Sequence, residues 1–175
     1  MSMMGTEGPD MPPVDTSGGQ GLSEWEARGI VERFAKAYEA RDVDAVLEMF
    51  ADDGDWRVGP GTFTGKEAVR RLVEWDVSLS PALTSTLEGV GIVAKGNVAF
   101  REHRIEQLIE GVPTAYPVMS VYELNEAGKI QHLRSYCEKL GLMQQVANKL
   151  PGVKGWFFKK TINMIVAQGE KGLKK

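Results

Sequence analysis

Residues 97–140 read NVAFREHRIEQLIEGVPTAYPVMSVYELNEAGKIQHLRSYCEKL, and this stretch decides the fold. Three strand-like runs are joined by two turns, Glu110-Gly111-Val112-Pro113 and Asn125-Glu126-Ala127-Gly128. Turn residues between alternating runs signal hairpins, so the stretch predicts an antiparallel meander. On its first strand Phe100, Glu102, Arg104, Glu106 and Leu108 share one face, while Arg101, His103, Ile105 and Gln107 share the other. The charged row flanked by Phe100 and Leu108 is either a solvated face or the lining of a pocket. Most of the functional reading turns on that choice.

Upstream the pattern is helical. Ser23-Glu24-Trp25-Glu26 is a capping box. Behind it Ala27, Ile30, Val31, Phe34, Ala37 and Tyr38 recur at helical spacing, predicting a helix to about Ala40. Asp42 caps a second helix with Val43, Val46, Leu47 and Phe50 as its apolar positions, stopped by Asp52, Asp53 and Gly54. A short strand over Asp55 to Val58 ends at Gly59-Pro60-Gly61. Thr64 to Glu67 reads as another capping box. It opens a third helix carrying Val69, Leu72, Val73, Asp76 and Leu79 on related faces, which ends at Ser80-Pro81. Leu83 to Ala94 is β-rich, with Gly89 and Gly91 marking a bulge. Downstream, a short helix is expected over Leu142 to Leu150 and another from Gly155 to about Gly169. Helices segregated from an antiparallel sheet predict an α+β domain. A curved antiparallel sheet wrapped around the three N-terminal helices gives a cone with a pocket inside, and the C-terminal helices are additions to it.

The organisation is a disordered leader over 1–21, one domain over 22–147 and a basic amphipathic helical extension over 148–175. The chain of 175 residues is 42% hydrophobic and 26% charged, ordinary for a globular domain. Net charge is −3, which gives no pull toward nucleic acid. From Lys149 onward, however, seven lysines stand against Glu170 alone, leaving −9 on the first 148 residues. The tail then either lies on an anionic membrane surface or, more economically, closes the cone or embraces a second subunit. The single cysteine, Cys137, excludes an internal disulfide and reads as a small core residue. No signal peptide and no apolar run of membrane-spanning length are visible, so a cytoplasmic location is expected. Two histidines without partner spacing give no metal signal, and Gly59-Pro60-Gly61 lacks a phosphate-loop pattern. No cofactor is expected.

Three segments carry a family resemblance. They are Ala40 to Ala45 followed by Met49 to Asp53, the Gly65 to Val69 helix start, and the Asn125 to Ile130 turn. Together they resemble the nuclear transport factor 2-like superfamily, which includes SnoaL-like cyclases, ketosteroid isomerases and limonene epoxide hydrolases. The resemblance runs from about Ser23 to Val146. Limonene epoxide hydrolases carry an Arg-x-Asp pair on a long strand and Arg-Asp-Tyr on the last strand. A Tyr and an Asn near the first strand hold the water. By that resemblance Arg104 and Glu106 stand for the first pair, Ser135 falls where the second carboxylate belongs, and Trp56 and Val58 replace the water holders. The ketosteroid isomerase positions fall on Phe34, Val58 and Ser120, and none keeps its chemistry.

If the Phe100 to Leu108 face lines the pocket, Glu102, Arg104 and Glu106 stand roughly 7 Å apart in a row. Glu106 is then a general base held by Arg104, with Ser135 in the acid's place and Tyr38, Tyr122 and His132 as alternative acids. Phe34, Tyr38, Trp56, Phe100, Glu102, Ser120 and Tyr122 are the expected ligand-binding residues. His103, on the other face, reads as surface, and the Arg101, His103, Ile105, Gln107 face reads as a homodimer surface. Two functions stay open. One is an epoxide-hydrolase-like or SnoaL-like enzyme acting on a small hydrophobic molecule. The other is a non-catalytic ligand-binding or dimerisation module of the same fold.

Overall fold

The computed structural model describes residues 22–59, 61–80, 82–109 and 111–173. The expected leader lies outside these residues, as do Pro60, Pro81 and Glu110 of the expected turns. Helix α1 (Glu24–Glu39) starts at the predicted capping box, where the Ser23 and Glu26 side chains each bond the other's backbone N–H. It buries Ala27, Ile30, Val31, Phe34 and Ala35. Helix α2 (Val43–Glu48) is capped by the Asp42 carboxylate on the Ala45 N–H at 2.9 Å. Helix α3 (Lys66–Leu79) differs from expectation at its start. Its N-cap is Gly65, and no side chain caps it.

Six strands form one curved, open sheet in the order β2-β1-β6-β5-β4-β3. They are β1 (Phe50–Val58), β2 (Gly61–Thr64), β3 (Leu83–Lys95), β4 (Val98–Ile109), β5 (Val112–Leu124) and β6 (Ile130–Cys137). The meander is present as β4-β5-β6, with β3 before it, all antiparallel. Strand β1 is longer than expected. Asp52, Asp53 and Gly54 do not stop the chain but carry it through an irregularity beside β6, to which β1 runs parallel. Gly54 permits this approach, since a Cβ there would stand 2.6 Å from the Ile130 carbonyl oxygen. The predicted bulge in β3 is present between Leu87 and Ile92, with Gly89 at φ +52 and Gly91 at φ +66.

The core lies between the concave sheet face and α1 to α3. Phe34 is its hub, making edge contacts with Phe50, Trp56 and Tyr122 and stacking on Tyr38. Helix α4 (Lys139–Lys149) begins three residues earlier than expected, capped by Glu138. It packs on β5 beyond the end of β6. There the Gln145 side chain accepts from the Ala115 N–H at 2.9 Å and donates to the Ala115 carbonyl at 2.8 Å, satisfying an open strand edge. Helix α5 (Gly152–Leu173) lies on α4 and buries Ile162, while Val153, Trp156, Phe157 and Met164 are exposed. None of the described helices is long and apolar enough to cross a membrane.

Phe50 is fully buried in this core. Phe50→Ala should therefore destabilise the fold by about 3–5 kcal/mol. Urea denaturation followed by circular dichroism checks this, with a lower midpoint at an unchanged m-value.

Candidate functional site

Side chains alternate along a strand, and the pairing register aligns them across the sheet. Three rows therefore cross the concave face. Ala99, Tyr122 and Leu133 form the innermost row, fully within the core. Arg101, Ser120 and Ser135 form the second, and His103, Val118 and Cys137 the third. Beyond the inner row lies a cavity of about 110 Å3, walled by Tyr122, by the second and third rows, by Phe34, Ala35 and Tyr38 of α1 and by Asp76 of α3.

This geometry overturns the expected orientation of β4. Arg101 and His103 are buried and line the cavity together with Ile105. They are neither a surface nor a dimer face. Phe100, Glu102, Arg104 and Glu106 point out of the cone and line no part of the cavity. Phe100 and Glu106 are exposed. Arg104 pairs with Glu88 on β3 at 2.5 Å rather than with Glu102 or Glu106. Glu102 accepts from the Val90 N–H at 3.0 Å in the space that the missing Gly89 side chain leaves. On the concave face, the Arg-x-x' pair is thus Arg101 and His103, three residues before the expected one. Of the other expected residues, Phe34, Tyr38, Trp56, Ser120, Tyr122 and Ser135 all line the cavity. His132 lies outside it, bonded to Asp55 at 2.7 Å. Cys137 lines the cavity rather than packing in the core. Among the described residues, no side chain of α4 or α5 walls the cavity.

A polar chain runs across the second row. The Trp56 indole donates to Ser135 Oγ at 3.1 Å, and Ser135 and Ser120 share a hydrogen bond at 3.3 Å. Burial pushes the Tyr122 phenol up to about 12, while Arg101 and Ser120 beside it act in the opposite direction. Arg101 Nη2 donates to the Ser85 carbonyl at 3.3 Å.

In the third row, burial and then the Arg101 charge lower the His103 imidazole to about 4, so it is neutral at pH 7. Its Nδ1 faces the Arg101 carbonyl at 3.3 Å. A carbonyl only accepts, so Nδ1 carries the proton and Nε2 the lone pair. Opposite, the Tyr38 hydroxyl donates to Asp76 Oδ2. Burial raises the Asp76 carboxyl, and the Tyr38 bond and Arg41 only partly counter this. Burial also raises the Tyr38 and Tyr116 phenols, with Asp76 adding to both.

The arrangement places a carboxyl raised by burial, a neutral imidazole and a buried cation around one largely apolar space. Among the described residues, no three His, Cys, Asp or Glu side chains converge as metal ligands. Asp76 is the residue that sequence reasoning passed over. Its signal is a carboxylate on the apolar face of α3, one turn from Leu72 and Val73.

Residues 31–133, more than half of the chain, match the SnoaL-like domain model. The chain belongs to the SnoaL-like domain family. Two solved structures share the fold. One is a hypothetical protein of Catenulispora acidiphila with a ketosteroid isomerase-like fold, in complex with trimethylamine. It is 20% identical with a TM-score of 0.60, over 70% of this chain and 97% of that one. The other is an M. tuberculosis LEH-like epoxide hydrolase, 21% identical with a TM-score of 0.61, over 71% and 92%. The SnoaL-like chain thus has the cone fold of the nuclear transport factor 2-like superfamily.

The buried His103 has a consequence for stability. Its folded value lies below the unfolded one near 6.5, so the unfolded chain binds the extra proton first. Stability present above pH 6.5 is lost as pH falls toward 4, by up to about 3 kcal/mol. Thermal melts from pH 7 to 4 should show a shallower acid decline for His103→Gln than for the wild type.

Proposed function

We propose that this SnoaL-like domain holds a small, largely apolar molecule in its cone and moves a proton on it with Asp76 and Tyr38. The observation that carries this reading is the Tyr38–Asp76 hydrogen bond inside the cavity. A carboxyl raised by burial is a stronger base when ionised, and a bonded phenol beside it orients the active oxygen. Asp76 would take a proton from water, for hydrolysis, or from carbon beside a carbonyl, for isomerisation. The Tyr38 phenol, raised by the same burial, stays protonated, and its one hydrogen is held on Asp76 until that carboxylate takes up a proton. Glu106, outside the cavity, has no part in this reading.

A second reading is a binding module without turnover. It is favoured by Ser120 and Ser135, hydroxyls at positions where the resembled enzymes carry carboxylates. Small epoxides, esters and enolisable ketones assayed by mass spectrometry separate the two. Asp76→Asn should lower turnover by about 10²–10⁴-fold, with ligand affinity kept, and Glu106→Gln should match the wild type. Turnover unchanged in Asp76→Asn would remove Asp76 from the chemistry. Binding without turnover by the wild type would favour the second reading. The substitution should not harm the fold. An Asp raised by burial loses stability as pH rises above the ordinary carboxyl range, so Asp76→Asn should melt no lower than wild type at pH 8.

A further inference from the structure

Arg101 is 5% exposed and lines the cavity. Its Nη2 reaches the Ser85 carbonyl, but its Nε is buried with no hydrogen-bond partner. Among the described residues, no carboxylate comes within ion-pair distance of it. The two arginines partly withdrawn from solvent on this sheet, Arg104 and Arg134, have Glu88 and Glu123 respectively at 2.5 Å. Glu39 acts on Arg101 only from a distance, and one of its oxygens accepts from the Ser85 N–H at 2.5 Å. A guanidinium does not give up its proton in a protein, so the interior holds a cation without a counter-ion. Such a charge is costly unless something neutralises it.

The surroundings indicate what does. Trp56 has only a hydrogen to give, so Ser135 Oγ accepts from it and the Ser135 hydrogen is free to pass to Ser120 or onward. The Ser120 hydroxyl stands in the same row as Arg101, and His103 adds no positive charge of its own. The rest of the wall is largely apolar, with Phe34, Val58, Ile105 and Val118, and the Tyr38–Asp76 pair stands on its helical side. We propose that the cavity binds an organic carboxylate, with its anionic end on Arg101 and the serine row and its apolar end among these side chains. This rests on the reading that the cone holds a small molecule, and it names the class. A cavity of about 110 Å3 suits a single ring or a short chain. An amine such as the trimethylamine of the Catenulispora acidiphila protein would meet the wrong charge here.

The test is calorimetric titration of the full chain with benzoate, hexanoate, benzamide and trimethylamine, alongside thermal shift. The two carboxylates should bind and raise the melting temperature, with benzamide at least tenfold weaker and trimethylamine inert. Arg101→Met keeps the apolar stem and removes the unpaired charge. It should fold with a melting temperature no lower than wild type and lose carboxylate binding by at least 30-fold, with benzamide unchanged or tighter. Ser135→Ala, a milder change, should weaken benzoate severalfold. Equal affinity of the wild type for benzoate and benzamide would overturn the proposal while leaving a neutral small-molecule site in place. So would benzoate binding undiminished in both variants. Failure of every probe, charged and neutral, would count against the underlying small-molecule reading and this proposal with it.

Discussion

The pairing of β4 with β5 fixes what this cone contains. Ile109 opposes Val112 across the turn, and from there the register runs back without interruption to Val98 opposite Glu123. Because side chains alternate, this one register decides which half of β4 enters the interior. It puts Arg101 beside Ser120 and His103 beside Val118. A slip of a single residue would bring Glu102, Arg104 and Glu106 inside and send the buried cation to solvent. The same register carries on through β5 to β6, so that Ser135 joins Ser120. The polar row is therefore a property of three strands, not of one motif.

The architecture was legible because its signals are local. Capping by Ser23 and Asp42, helical spacing on α1 and α3, and turn residues around Gly128 each act within a few residues. The parallel contact of β1 with β6 was not legible. It depends on Gly54 letting two distant segments approach, and the run Asp52-Asp53-Gly54 looks like a stop. The orientation of β4 was misread for a related reason. Both of its faces mix charge with apolar residues, so alternation alone leaves the choice open. Strand β5 holds the missing information. Tyr116, Val118, Tyr122 and Leu124 share one side with Ser120 and no charge, while Pro117, Met119 and Val121 share the other with the charged Glu123. Carried across the pairing of Ile109 with Val112, that side selects Arg101 and His103.

The interior is electrostatically uneven in a way the composition hides. A net charge of −3 spread over the chain would predict nothing about a cavity that holds a cation. Surface carboxylates are plentiful, and Asp44, Asp52, Glu32 and Glu88 all engage basic side chains there. Among the described residues, the one carboxylate on the cavity wall, Asp76, is committed to Tyr38. Burial disfavours its charged form just as it disfavours the charge on Arg101. Opposite charges thus share one small space without meeting, each held by neutral partners.

That separation links two features which look independent. Set against the resembled enzymes, the cone carries hydroxyls at Ser120 and Ser135 where carboxylates are expected. Set against its own interior, it carries a guanidinium with no anion beside it. Both follow from the same residues, since a carboxylate at either serine would stand in Arg101's row of the sheet. With serines at both positions, the Arg101 guanidinium has no carboxylate beside it in its row. In the carboxylate-binding proposal the matching anion arrives with the ligand, and the serine row becomes part of a recognition site. On this view the serine row and Arg101 select what enters, and Asp76 with Tyr38, on the helical side of the cavity, acts on what has been selected.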